Sequence, residues 1–100
     1  MIAAPAKHRG SWTMIVNEKV WNLKADKILD PILSKSGKIV ATVIEKQGQW
    51  FLAINNKIVS NGYDYMASPV ISPDETKVMI KAVKDKLYTR QLISLDTALN

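Results

Sequence analysis

Apolar residues along this chain fall in short runs, and each run is closed by a cluster of turn-forming residues. Residues 12–16, 39–44, 50–54 and 78–83 are rich in β-branched and aromatic side chains, which suit a pleated, half-buried surface. Between them stand Asn17-Glu18-Lys19, Ser34-Lys35-Ser36-Gly37, Asn55-Asn56-Lys57 and Ser72-Pro73-Asp74-Glu75-Thr76. Asparagine tolerates the left-handed backbone of a two-residue hairpin, and a proline after Ser72 is pre-set for the second position of a turn. The best helical window, residues 24–33, is interrupted by Pro31. The pattern predicts an all-β chain of short antiparallel strands.

Shifted by 38 positions, the sequence falls on itself. Trp12 meets Trp50, Asn17 meets Asn55, Lys19 meets Lys57, and Asp26 meets Asp64. Pro31 with Pro69, Ser34 with Ser72, Val40 with Val78 and Lys46 with Lys84 are identical as well. Like-for-like apolar pairs fill the gaps: Val16 with Ile54, Val20 with Ile58, Ile28 with Met66, Ile32 with Val70, Leu33 with Ile71. A third copy begins at Leu87, where Tyr88 takes the tryptophan position. Each full copy reads as four strands: 12–16, 20–23, 31–33 and 39–44 in the first, 50–54, 58–59, 69–71 and 77–83 in the second. Pro31 and Pro69 stand at strand starts, where a missing N–H is tolerated. Four antiparallel strands in roughly 40 residues is the blade pattern of a β-propeller. The expected division is a flexible segment at 1–10, one blade at 11–48, a second at 49–86, and the start of a third at 87–100.

Ser68-Pro69-Val70-Ile71-Ser72-Pro73-Asp74 followed by an apolar strand resembles the repeats of TolB-type and WD-like propellers. The segment from Trp50 through Asn55 and Lys57, with Asp64 and Pro69 at fixed distances, is similar to the tryptophan-rich, WD-like component of the Tmc transmembrane redox complex of sulfate-reducing bacteria. The resemblance runs from Ser11 to about Leu95. It implies a cytoplasmic propeller accompanying haem and iron–sulfur subunits, with no cofactor of its own. The chain departs from the family pattern at Ser34-Lys35-Ser36-Gly37, where Ser-Pro-Asp-Gly is usual, and at Glu75 and Glu18, which stand where glycine is usual. A ring of four or more such blades needs at least ~150 residues. The expectation is therefore a fragment of a longer propeller or, if the chain is complete, a homo-oligomer that closes a ring, because an unclosed pair leaves apolar faces and a sheet edge unpaired.

Composition narrows this picture little. The 100 residues are 47% hydrophobic and 23% charged, an ordinary balance for one soluble domain. Cysteine is absent, which excludes a disulfide framework and zinc–thiolate chemistry. Residues 1–10 lack the apolar run of a signal peptide, and no stretch approaches the ~20 apolar residues of a membrane span, so a mature or cytoplasmic soluble segment without membrane insertion is expected. The net charge of +5 comes from lysines scattered at turn-like positions, unlike the clustered basic and aromatic face of a nucleic-acid binder. No nucleic-acid partner is expected.

The candidate residues read mainly as architecture. Trp12 and Trp50, with Tyr88 in the same role, are expected as core residues wedged between blades, since large aromatics bury much area. Trp21 matches Val59 and is the candidate for a protein-partner contact. Asp26 and Asp64 are expected to accept backbone N–H bonds and fix turns, as are Asn17, Asn55, Ser34, Ser72 and Asp74. Hard cations want six or more oxygens, more than two acids supply. The lone histidine, His8, has no nucleophile beside it in sequence, and the four glycines form no phosphate loop. The residues thus point to no catalytic, cofactor or metal site and to a non-catalytic scaffold or protein-interaction module, with the other blades and redox-complex subunits as partners. A TolB-like envelope propeller binding a peptide or solute, in the periplasm, is the alternative; an enzymatic channel site would need acid or histidine clusters from further blades.

Overall fold

The structure, a computed structural model, describes residues 2–96. Its strands are β1 (Ala3–His8), β2 (Ser11–Val16), β3 (Lys19–Val20), β4 (Lys27–Ile28), β5 (Ile32–Leu33) and β6 (Val40–Lys46), then β7 (Gln49–Ile54), β8 (Lys57–Ile58), β9 (Tyr65–Met66), β10 (Val70–Ile71), β11 (Lys77–Lys84) and β12 (Leu87–Ser94). Every pairing is antiparallel, so the all-β expectation holds. The last four positions of the expected third unit, 97–100, lie outside the described residues.

Three sheets result. The first is β1-β2-β3. In the middle sheet β4 and β5 both lie along β6, which is followed by β7 and β8. In the third, β9 and β10 lie along β11, which is followed by β12. Partners in one sheet reappear in the next 38 positions on. Ile15 faces Val20 and Ala53 faces Ile58; Lys27 faces Glu45 and Tyr65 faces Val83; Leu33 faces Val40 and Ile71 faces Val78. Trp12 bridges Ala25, and Trp50 bridges Tyr63.

The sheets group these strands differently from the sequence units. The repeat predicts that the strands at 12–16 and 20–23 join those at 31–33 and 39–44, yet β2 and β3 pair with β1, while β6 pairs with β7. Two-residue hairpins decide this. Arg9-Gly10, Gln47-Gly48 and Asp85-Lys86 each place two consecutive residues at positive φ, between about 50° and 85°, which suits the twist of the strands they join. A strand leaving such a turn must pair with the one that entered it. The breaks between sheets therefore fall at residues 21–26 and 59–64. Residues 1–10, expected as a flexible arm, supply β1 for the same reason.

Side chains alternate across each sheet. Met14 of β2 packs with Trp21, Ala25, Val40, Ile44 and Ala53 between the first and middle sheets. On the opposite face of the middle sheet, Ala41, Val43, Leu52 and Ile54 pack against Met66, Val78, Ile80 and Ala82 of the third. The middle sheet is thus covered on both faces.

Candidate functional site

The turn residues singled out by the sequence all hold backbone in place. Asn17 and Asn55 open left-handed turns, and their Oδ1 atoms accept the N–H of Ile2 (3.1 Å), just before β1, and of Val40 (2.9 Å), at the start of β6. Asp26 accepts the N–H of Gln47 at 2.9 Å, and Asp64 accepts that of Asp85 at 2.8 Å. Each carboxylate thereby ties down the first residue of a hairpin tip that would otherwise be a strained, exposed turn. Pro31 and Pro69 immediately precede β5 and β10.

Ser34 and Ser72 start matching turns. Their carbonyls accept the N–H of Gly37 (3.0 Å) and Glu75 (2.9 Å), and their hydroxyls accept the N–H of Ile39 (3.1 Å) and Lys77 (3.0 Å). Gly37 and Glu75 both have positive φ, 78° and 60°, so Glu75 occupies a conformation that favours glycine. Its carboxylate reaches from the third sheet to the middle one and accepts the Ser36 hydroxyl and N–H. That hydroxyl contact, aided by Ser34, holds the Glu75 carboxyl below its usual range. Asp74 accepts Ser72 Oγ–H at 2.7 Å and Thr76 Oγ1–H at 2.8 Å, and these bonds lower its pKa from 3.8 to about 2. A carboxylate so thoroughly solvated by donors is a poor base, and Ser72 spends its proton on it. The pair locks the turn.

Between the two turns lies a groove of about 390 Å³, walled by Ile32, Leu33, Pro69, Val70 and Ile71, with Lys35 and Glu75 at its rim. Among the described residues, no three histidine, aspartate or glutamate side chains converge as a metal site.

Two aromatic expectations change. Trp21, read as a surface contact, is 9% exposed within the core between the first and middle sheets. Room for it comes from Ala25: the next unit carries Val59 and Tyr63 at the corresponding positions, large and small exchanged. Tyr88, read as a core wedge, is 61% exposed, because it lies on the outer face of the third sheet, which nothing covers among the described residues. Trp12 and Trp50 are half-buried at equivalent bridges, and Trp50 meets Tyr65 at 5.2 Å between ring centroids, tilted by 53°.

Sequence reasoning missed the outer face of the third sheet. Register places three rows side by side there: Tyr65, Val83 and Tyr88; then Lys81 opposite Arg90; then Val70, Met79 and Leu92. Tyr65, Val70, Tyr88 and Leu92 are exposed, Leu92 to 68%. The signal was present in the 38-residue match, since Lys81 falls on Val43 and Arg90 on Leu52. The fold and these surfaces define an all-β protein of antiparallel sheets. No known protein family, curated protein or solved structure matches the chain.

Proposed function

We propose that the chain is a section of a β-propeller that serves as a non-catalytic scaffold for protein partners. The observation that carries this reading is the recurrence of strand partners at a constant 38-residue spacing, with sheets laid face to face through apolar cores. Repeated antiparallel units of this size that bury their faces against one another are the construction principle of propellers. The hydroxyls and carboxylates at the turns bond turn backbone or one another, which supports a structural rather than a chemical role. Its proposed setting, drawn from the sequence resemblance, is the cytoplasmic side of a membrane electron-transfer complex. Isolating the tagged, full-length protein from its native cells under mild detergent tests this: haem or iron–sulfur absorbance is expected to co-elute, and recovery as a lone, colourless species would refute it.

A further inference from the structure

We propose that the outer face of the third sheet is a docking site for a protein surface that is apolar and carries carboxylates in line. The inference rests on the scaffold reading and gives its partner a chemistry. Lys81 and Arg90 are direct cross-strand partners on β11 and β12. Like charges placed directly opposite destabilise a sheet, so the charges of this pair cost the isolated fold something. None of the eight residues in the three rows is acidic, and among the described residues the only side-chain hydrogen bond there is a long one from Arg90 Nε–H to Tyr88 Oη, 3.4 Å. Above and below the cationic row lie apolar and aromatic side chains that the fold leaves in water. Tyrosine, arginine and methionine, all present here, are enriched at interface centres.

The matching face of the middle sheet shows what would be needed to cover this one. There Val43 and Leu52 occupy the positions of Lys81 and Arg90 and are fully buried under the third sheet. A second copy stacked in the same way would bring the outer face of its first sheet, with Ala4 and Ala6 in the facing strand, and would bury two cations against methyl groups. The occupant must instead place carboxylates over Lys81 and Arg90 and apolar groups over the two flanking rows. An extended strand reading apolar-x-acidic-x-apolar does so, because alternate residues share one face. Phosphates also suit two cations, but single-stranded nucleic acid asks for aromatic platforms; here Tyr65 already leans on Trp50, and the third row is aliphatic.

The test is a titration of the full ¹⁵N-labelled chain with acetyl-Thr-Leu-Thr-Glu-Thr-Leu-Thr-amide and with its Glu→Gln and Glu→Lys forms. Amide shifts confined to β9–β12, and binding weaker by about fivefold or more for the Gln peptide, are expected. Arg90→Glu should lose binding yet unfold at no lower temperature than the parent, since it turns a repulsive cross-strand pair into an attractive one. The K81E/R90E chain should prefer the Lys peptide. Equal binding of the Glu and Gln peptides, no binding of the Glu peptide at millimolar concentration, or tighter binding of an oligothymidylate to this face would each overturn the proposal. Because the titration uses no redox subunit, it can fail while co-elution succeeds, or succeed while co-elution fails.

Discussion

Val43 and Leu52 in the middle sheet face each other across β6 and β7, and Lys81 and Arg90 face each other at the same register across β11 and β12. The apolar pair is fully buried; the cationic pair points outward from the stack. One pairing scheme therefore supports an interior sheet and an end sheet: in the middle sheet the pair lies in the core shared with the third, and in the third it lies on the face turned away from that core. Backbone register comes from the turns, while burial comes from whatever lies on the other side. A pattern that repeats in sequence thus repeats in strand pairing without repeating in environment.

The largest test of this contrast uses the two aromatics whose burial departs from the repeat. Trp21→Ala should cost about 3–5 kcal/mol of stability, the price of emptying a large aromatic site in a packed core. Tyr88→Ala should change it by less than about 0.5 kcal/mol, as exposed substitutions do. Urea unfolding followed by far-ultraviolet circular dichroism measures both. Next in size is the register-matched pair: Leu52→Ala should cost about 2–5 kcal/mol, and Arg90→Ala should stay within about 0.5 kcal/mol. A comparable loss at both positions would show that the third sheet is as covered as the middle one, and the contrast would fall.

The all-β class is legible in the sequence because turn chemistry is local, and the positive φ at Asn17 and Asn55 and the backbone bonds to Asp26 and Asp64 show that chemistry at work. A left-handed asparagine or a capping carboxylate needs only its neighbours in the chain and one adjacent strand. The grouping of strands into sheets is less legible, since a periodic sequence fixes a spacing and no phase; the hairpins at Arg9-Gly10 and Gln47-Gly48 supply the phase. Trp21 misleads because its match, Val59, says nothing by itself about room. Its burial depends on a second exchange, Ala25 for Tyr63, that only a packed core reveals. Tyr88 misleads because a match to Trp50 does not carry the same cover with it.

A smaller effect separates Asn55 from Ile93, which stands 38 residues on. At Asn55 the chain turns, with φ of 49° and the side chain bonded to Val40 N–H. At Ile93 it continues as strand, and the side chain packs against the core between the middle and third sheets. Asn55→Ala should cost about 1–2 kcal/mol through the left-handed backbone and the lost bond. Thermal unfolding measures it, and a neutral result would mean that the hairpin is held by its strands alone.

The smallest effect concerns acid. The middle sheet's turn, Ser34-Lys35-Ser36-Gly37, has no carboxylate, whereas the third sheet's turn carries Asp74 and Glu75. Both carboxyls titrate below their ordinary values of 3.8 and 4.5, because hydroxyl and amide donors favour the ionised form, and Asp74 is brought down to about 2. A group with a lowered folded-state pKa contributes stability that is present above its unfolded value and lost as pH falls through its folded value. The chain should therefore lose stability progressively from about pH 4.5 to about pH 2. Both side chains lie at the surface, where solvent screening keeps the change modest. Unfolding midpoints measured across that window should flatten in the D74N/E75Q chain, while Ser36→Ala should remove only the part belonging to Glu75, the one carboxylate that joins the two turns. An unchanged acid limb in D74N/E75Q would place the pH dependence elsewhere and leave the two turns equivalent in energy as well as in shape.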